Sequence, residues 1–191
     1  MAFVAAAAFG VAACGGKDHG GQSMEDAFRP LEVGVAMPAY TVSTIDGRQV
    51  TLGGAGPVTL VNVWATWCTS CRQEMQALDS LGQELGPRGL RVVGVSVDRG
   101  GVEQVRRFVE ESRLRFTVAH DPAGDIEQQY QVVGVPTTLL IGRDGRLLWR
   151  RAGDFRPARA ELRAEIVRAL EGGTGAGAQP ATRASNGEPA A

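Results

Sequence analysis

The stretch that decides the fold is "PVTLVNVWATWCTSC", Pro57 to Cys71. It begins as a continuous apolar and β-branched run over residues 57–65, which is typical of a strand buried on both faces of a sheet. Helical spacing then predicts a helix from four apolar residues, Met75, Leu78, Leu81 and Leu85. The pair Cys68 and Cys71 is therefore expected between a buried strand and a helix, where α/β proteins place their functional sites.

Outward from this stretch, strands and helices alternate. Residues on either side of Asp46-Gly47 predict an N-terminal β-hairpin, and residues 90–98 predict a second buried strand. A helix, a short strand over 115–120 and a short helix over 125–132 follow, before a hairpin over 137–153 and a C-terminal helix. Alternating strands and helices imply a parallel core with right-handed crossovers, to which the last hairpin adds antiparallel strands. The predicted fold class is a three-layer α/β/α sandwich with a mixed central sheet.

Composition excludes several functional classes. The chain has 191 residues and a net charge of −1, so it lacks the basic excess expected of a nucleic-acid binder. Three cysteines are too few for a scaffold held by disulfides. The cysteines form one close pair, Cys68 and Cys71, and one single residue, Cys14.

The position of Cys68 at a helix N-terminus favours redox chemistry. Unsatisfied N–H groups and the helix dipole stabilise a thiolate there, which lowers the thiol pKa and makes the sulfur a nucleophile near neutral pH. Cys71 lies one turn further along the same face, within reach of a short disulfide. We expect Cys68, at the exposed tip, to attack a substrate disulfide and the deeper Cys71 to resolve the mixed disulfide.

Other uses of the pair fit less well. A tetrahedral zinc site needs four ligands, and the only histidines are His19 and His120. His120, which precedes Asp121-Pro122, is expected in a solvated loop. A copper carrier with two thiolates and His120 stays open as an alternative. A purely structural disulfide would remove little chain entropy across so short a loop. We expect no metal and no organic cofactor.

The two ends of the chain differ from its middle. Residues 1–14 form a short apolar segment that ends in "VAAC", which resembles the lipobox of bacterial lipoproteins with Cys14 as the lipidated residue. No Lys or Arg precedes this segment, so a plain signal peptide stays open. Residues 15–30 are expected to be a flexible tether, 31–171 the folded domain, and 172–191 a disordered tail. The domain is accordingly expected outside the cytoplasm, anchored to a membrane or secreted.

Two motifs taken together are specific: "VNVWATWCTSCRQEM" and, much later, "VGVPTTLLIGRDGRL". Residues from about 33 to 171 resemble the thioredoxin superfamily in its membrane-anchored ResA/TlpA branch. The resemblance implies a thioredoxin fold with an N-terminal β-hairpin and a central αβ insertion. It also implies reduction of protein disulfides outside the cytoplasm, often in apocytochrome c, with electrons from a membrane thiol donor. We expect the chain to act as a monomer.

The resemblance assigns roles to individual positions. Cys68 and Cys71 match the nucleophile and the resolving cysteine. Val135-Pro136 matches a cis-proline loop that faces the pair, where Val135 would offer its backbone to an extended substrate. Thr137 follows and is expected to begin a strand. Trp67 is expected to be an exposed aromatic residue for substrate contact, whereas Trp64 is expected in the core.

Glu74 matches a glutamate of this branch, one helical turn beyond Cys71. A half-buried carboxylate there should have a raised pKa and could accept the proton of Cys71; a solvated glutamate is the alternative. The chain departs from the pattern at Ser70 and Gln76, where relatives commonly have proline. Ser70 leaves the reduction potential open, and Gln76 removes a reason for the helix to kink.

Two rival functions stay open. A thiol peroxidase of the same superfamily would carry Thr or Ser three residues before the attacking cysteine, where this chain has Ala65. A non-catalytic binding module or metal carrier would use Cys68 and Cys71 without turnover. The redox direction, the substrate and the true start of the chain are not determined by the sequence.

Overall fold

The computed structural model describes residues 30–172. The expected signal segment 1–14, nearly all of the tether 15–30 and nearly all of the tail 172–191 lie outside the described residues. The lipidation of Cys14 therefore stays a prediction. Between residues 30 and 172, no helix is both long enough and apolar enough to cross a membrane.

The described part of the chain contains strands and helices in the order that the sequence pattern predicts. The strands are β1 Tyr40–Ser43, β2 Gln49–Leu52, β3 Thr59–Trp64, β4 Arg91–Ser96, β5 Thr117–His120, β6 Thr137–Ile141 and β7 Leu147–Ala152. The helices are α1 Thr69–Leu85, α2 Val102–Glu111, α3 Asp125–Gln129 and α4 Arg159–Leu170, with single 3₁₀ turns at Gly86–Arg88 and Arg156–Ala158.

The central sheet is mixed, as predicted, and has the strand order β5-β4-β3-β6-β7. Strands β3, β4 and β5 run parallel, whereas β6 is antiparallel to β3 and β7 is antiparallel to β6. Strand β3 lies in the middle, and all six of its residues are buried. Its position explains why the run is apolar except at Thr59 and Asn62, because a central strand with a parallel neighbour is covered on both faces.

Apolar side chains fill both sides of this sheet. Alternate residues of β3 point to opposite faces, so Leu60 and Val61 belong to two different clusters. Leu60 packs with residues from α1 and α4, including Leu78 and Ile166. Val61 packs in the cluster that contains Val105 of α2 and Ile126 of α3. Helices therefore cover the sheet on both faces, which gives the predicted α/β/α layering.

The N-terminal hairpin, β1 and β2, forms a separate two-stranded antiparallel sheet. The turn at Asp46-Gly47 is the predicted one, and Gly47 adopts a positive φ of 84° that favours glycine. The hairpin is attached to the edge of the central sheet, because Ile45 N donates to Val118 O at 2.9 Å and Thr44 bridges to Ala119. Helix α2 and strand β5 supply the expected central αβ unit at the same edge.

Candidate active site

The cysteine pair lies at the junction that the sequence predicts. Strand β3 ends at Trp64, and α1 begins at Thr69 with Cys68 as its N-cap. The Cys68 Sγ accepts a hydrogen bond from the backbone N–H of Cys71 at 3.2 Å. The two sulfurs are joined in a disulfide, with the Cα atoms 5.2 Å apart. The cap places the first sulfur at the positive end of a helix of 17 residues.

Cys68 is less exposed than the sequence analysis expects. Its exposed fraction is 7%, compared with 0% for Cys71. The order of exposure is the expected one, but the attacking sulfur does not protrude. The Cys68 sulfur is bonded to the fully buried Cys71 and accepts the Cys71 N–H, so it lies against the helix N-terminus.

The two positions that depart from the family pattern both make contacts. The Ser70 hydroxyl lies 3.4 Å from the Cys68 sulfur, close enough for a hydrogen bond. The Gln76 side chain donates to the backbone O of Ser112 at 2.8 Å, which ties α1 to the residue that follows α2. A proline at either position would have neither contact, since it carries no side-chain polar group.

Glu74 is fully buried, rather than half-buried as expected. Its Oε1 accepts from Asn62 Nδ2 at 2.7 Å, and its Oε2 accepts from the backbone N–H of Phe155 at 3.0 Å. Burial is the largest effect on this carboxyl and raises the pKa of Glu74 from 4.5 to about 7, although the two hydrogen bonds oppose the rise. A carboxyl with this pKa can both take up and release a proton near neutral pH.

Asn62 is a site residue that the sequence analysis missed. It lies on β3, directly opposite Thr138 of β6, and its Nδ2 also contacts the Thr138 hydroxyl at 3.0 Å. Its Oδ1 is buried and has no hydrogen-bond partner among residues 30–172. The sequence could have indicated this residue, because Asn62 is an amide inside the otherwise apolar run "TLVNVW". A polar side chain on a buried strand usually has a hydrogen-bond partner.

Asp98 anchors the chain just before Cys68 and was also missed. Its carboxylate is 2% exposed and accepts from the Thr66 N–H at 2.9 Å and from the Thr66 hydroxyl at 2.6 Å. The Ser96 hydroxyl donates to the same carboxylate at 2.7 Å. Asp98 comes two residues after the end of β4, which lies next to β3. The sequence could have indicated a site residue here, because functional groups of α/β proteins lie at the carboxyl ends of parallel strands.

The expectation for His120 is wrong. It is the last residue of β5 and is half-buried, and its Nε2 lies 2.8 Å from the backbone O of Asp98. Pairing of β5 with β4 holds the residue against the sheet instead of leaving it in a solvated loop. Within residues 30–172, no three His, Cys, Asp or Glu side chains are grouped closely enough to hold a metal ion.

The proline loop has the predicted conformation. The Val135-Pro136 peptide bond is cis, and Thr137 is the first residue of β6. The Thr137 hydroxyl donates to the backbone O of Gly134 at 2.6 Å, closing the loop from its own end. Because Thr137 pairs with Val63 near the end of β3, the loop emerges at the same end of the sheet as the cysteine pair.

Trp64 and Trp67 differ in exposure as expected. Trp64 has no exposed surface, whereas Trp67 is 68% exposed immediately before Cys68. Val133, three residues before Pro136, is the other large apolar side chain that is strongly exposed in the described part of the chain, at 63%. Because Trp67 directly precedes Cys68, its exposed ring is available to a molecule that approaches the cysteine pair.

Comparison with known proteins identifies the family. The AhpC/TSA family matches residues 33–150, more than half of the chain. The chain belongs to the AhpC/TSA family. Several curated relatives carry the name thiol-disulfide oxidoreductase ResA. The protein from Bacillus thuringiensis subsp. konkukian is 30% identical over 125 residues, which cover 65% of this chain and 72% of the relative. The protein from Oceanobacillus iheyensis is 33% identical over 130 residues, which cover 65% and 67%.

A solved structure supports the same assignment. A protein from Chlorobium tepidum that carries the name thiol:disulfide interchange protein DsbE is 29% identical, with a TM-score of 0.66. The match covers 73% of this chain and 99% of that chain. The predicted thioredoxin fold is therefore confirmed. Together with the Cys68–Cys71 pair, the comparisons identify the chain as a thiol-disulfide oxidoreductase of the ResA/DsbE type.

Proposed function

We propose that this chain reduces disulfide bonds of proteins outside the cytoplasm, by cycling Cys68 and Cys71 between dithiol and disulfide. The observation that carries the proposal is the disulfide between a helix-capping Cys68 and a fully buried Cys71. A pair of this kind can exchange electrons with a substrate through only one of its sulfurs. The resolving sulfur stays protected from other thiols by burial.

The cycle begins with the reduced pair. The Cys68 thiolate attacks one sulfur of a substrate disulfide and forms a mixed disulfide, while the other substrate sulfur leaves as a thiolate. Cys71 then loses its proton and attacks the Cys68 sulfur, and the second substrate sulfur leaves. The substrate has gained two electrons and, from water, two protons. An external dithiol donor returns two electrons to the Cys68–Cys71 disulfide.

Glu74 is the group we assign to the proton of Cys71. It lies one helical turn beyond Cys71 and has no exposed surface. Its pKa, raised to about 7, means that the ionised form is available to accept a proton at neutral pH. Asn62 and the Phe155 N–H hold the two carboxyl oxygens, so the base keeps one orientation through the cycle.

The substrate is expected to lie across Trp67 and the proline loop. Trp67 offers a large exposed apolar face next to the attacking sulfur. Val135 is half-buried before the cis bond, and its backbone can pair with an extended chain in the manner of strand addition. Pro136 offers no N–H, and Thr137 fixes the loop from the strand side.

We infer the location from residues 1–14 and the partners from the family resemblance. The short apolar segment that ends at Cys14 supports a lipid-anchored or secreted protein that faces an oxidising compartment. The family resemblance supports a membrane thiol donor as the source of electrons and apocytochrome c as one substrate. We propose a monomer without metal or organic cofactor.

The test is to trap the substrate on a Cys71→Ala variant. Without the resolving thiol, the mixed disulfide on Cys68 should accumulate, and mass spectrometry of cells that produce the variant identifies the attached protein. A Cys68→Ser, Cys71→Ala double variant is the matched control and should trap nothing. The reduced wild type should also reduce insulin disulfides, with turnover abolished in Cys68→Ser.

Other outcomes would support the rival functions. Rapid consumption of hydrogen peroxide with a thiol donor, without insulin reduction, would indicate a thiol peroxidase. Stoichiometric metal binding that needs both cysteines, again without reduction of insulin, would indicate a carrier. Absence of any adduct on the Cys71→Ala variant would contradict the proposed cycle.

A further inference from the structure

The Ser70 hydroxyl lies against the sulfur that attacks the substrate in the proposed cycle. The distance from Ser70 Oγ to Cys68 Sγ is 3.4 Å. Cys68 is bonded to Cys71 in a disulfide and carries no proton on its sulfur, so the hydrogen in this contact belongs to the hydroxyl. Ser70 is therefore the donor and the Cys68 sulfur is the acceptor.

This hydroxyl has no other hydrogen-bond partner among residues 30–172. A serine within a helix can donate to the backbone O four residues before it, as Ser80 of the same helix does to Gln76 at 2.7 Å. Ser70 is the second residue of α1, and its hydroxyl bonds to the cysteine sulfur instead. The side chain of Ser70 is thus positioned by the reacting atom.

Two donors converge on the Cys68 sulfur. Besides Ser70, the backbone N–H of Cys71 donates to it at 3.2 Å. Both donors lie in the first turn of α1, where the helix dipole places partial positive charge. Cys68 is only 7% exposed, so little water can take the place of either donor. All three contributions have the same sign, because each favours a negative charge on this sulfur.

The strength of the Ser70 hydrogen bond depends on the redox state of the cysteine pair. A disulfide sulfur is neutral and accepts hydrogen bonds weakly. A thiolate is negatively charged, and hydrogen bonds to charged groups are roughly twice as strong as those to neutral groups. Reduction of the pair therefore strengthens the bond and stabilises the dithiol form relative to the disulfide. The hydrogen stays on the Ser70 oxygen, and no covalent bond to serine forms.

We propose that Ser70 is a catalytic residue whose hydroxyl binds the Cys68 thiolate and makes the reduced pair a milder reductant. This inference rests on the proposed function and bears on its substrate class. A milder reductant gives electrons only to disulfides of comparably high reduction potential. Strained or exposed disulfides have such potentials, whereas the structural disulfides of secreted proteins do not. Ser70 thus directs the chain toward labile, accessible protein disulfides.

The first test measures the equilibrium between the cysteine pair and glutathione. The full-length chain, in a Cys14→Ser background, is equilibrated at pH 8 with mixtures of reduced and oxidised glutathione, and the reduced fraction is measured by alkylation and mass spectrometry. Ser70→Ala should shift the equilibrium constant about tenfold toward the disulfide, which corresponds to a potential about 30 mV lower. Ser70→Thr keeps the hydroxyl and should restore most of the wild-type value.

The second test separates a contact with the thiolate from damage to the helix. In Cys14→Ser, Cys71→Ala, the attacking Cys68 is the only cysteine, and its reaction with excess Ellman's reagent is followed by stopped flow from pH 4 to pH 9. Adding Ser70→Ala should move the inflection of the rate to higher pH, because the thiolate loses a donor. The plateau at high pH should rise about threefold, since a less stabilised thiolate is a stronger nucleophile. The melting temperature of the oxidised Ser70→Ala protein should stay close to that of the wild type.

The matched control is Thr69→Ala. Thr69 is the other hydroxyl residue between the two cysteines, but it is exposed and its hydroxyl makes no hydrogen bond within the described part of the chain. Its replacement should leave the glutathione equilibrium, the inflection and the plateau as in the wild type. A difference between the Ser70 and Thr69 variants therefore measures the contact with the sulfur.

The outcomes distinguish this inference from the proposed function. If the wild type neither reduces insulin nor traps a protein through Cys71→Ala, the proposed function fails, and the inferred preference for labile disulfides fails with it. If insulin is reduced but Ser70→Ala keeps the wild-type equilibrium and inflection, only the inference is wrong. Equal shifts in Ser70→Ala and Thr69→Ala would also overturn it, because they would reflect the helix turn rather than the hydroxyl on the sulfur.

Discussion

Replacement of Glu74 by glutamine should remove a pH dependence of folding stability. Glu74 is fully buried, and its pKa rises from 4.5 to about 7 on folding, chiefly through loss of hydration. The folded state therefore binds this proton more tightly than the unfolded chain does. The stability that Glu74 contributes is complete below pH 4.5 and is lost as the pH rises through 7.

The size of the effect follows from the difference in pKa. A shift of one pKa unit corresponds to 1.36 kcal/mol, so a rise from 4.5 to about 7 corresponds to about 3 kcal/mol. The wild type should lose about this much free energy of unfolding between pH 4 and pH 8 relative to Glu74→Gln. The amide of the variant places its NH₂ group against either the Asn62 Nδ2 or the Phe155 N–H, and this conflict costs about 1–3 kcal/mol at every pH. The pKa shift of Glu74 is therefore read from how the difference in free energy of unfolding between the two proteins changes with pH, and not from the difference at one pH.

The assay is urea unfolding of the oxidised protein at several values between pH 4 and pH 8. The Cys68–Cys71 disulfide keeps both thiols from titrating, and other ionisable groups cancel in the difference between the two proteins. Glu84→Gln is the matched control on the same helix. The pKa of Glu84 is lowered by its hydrogen bonds to Arg163, so its stabilisation is lost as the pH falls, which is the opposite sign.

Parallel stability curves for wild type and Glu74→Gln would refute this reasoning. They would mean that the carboxyl group is hydrated in solution and that its pKa stays near 4.5. A difference that grows toward low pH, as expected for Glu84, would mean that the ionised form is the one that the fold stabilises. Either result would also remove the electrostatic basis for proton transfer from Cys71.

Three further changes have expected outcomes. Trp67→Ala should leave stability within about 0.5 kcal/mol because the side chain is exposed, but should lower kcat/KM about tenfold for insulin and not for a small aliphatic disulfide. Asp98→Ala should destabilise the fold by about 2–4 kcal/mol in urea unfolding, since it leaves the buried Thr66 donors without a partner. Asn62→Ala removes a hydrogen bond that lowers the pKa of Glu74. The rate at which Cys71 attacks a mixed disulfide on Cys68, measured by stopped flow as a function of pH, should therefore have its inflection above pH 7. An unchanged substrate preference, an unchanged urea midpoint and an unmoved inflection, respectively, would contradict these expectations.

The elements around the cysteine pair could be predicted from the sequence because their signals are local. The apolar run that became β3, the four apolar residues of α1 and the Asp46-Gly47 turn each report on neighbours a few residues away. The exposure of Trp67 was likewise predictable, since it follows the strand and precedes the helix cap.

The predictions failed where distant segments meet. His120 was expected in solvent, but pairing of β5 with β4 brings it to the backbone of Asp98. Glu74 was expected to be half-buried, but the loop after β7 closes over it and donates the Phe155 N–H. Asn62 and Thr138 are 76 positions apart in the sequence, and only the antiparallel register of β3 and β6 makes them opposite neighbours.

The sequence by itself determined the redox pair, the order of strands and helices, and the helix N-terminus on which Cys68 lies, because these depend on hydrophobic periodicity and short spacing. Only the tertiary structure decided the full burial and the hydrogen-bond partners of Glu74, the residue that we propose takes the proton of Cys71. The pKa of Glu74 depends on the removal of water by α1, β3 and the β7–α4 loop together, and hydration of a carboxyl group is a property of everything that surrounds it.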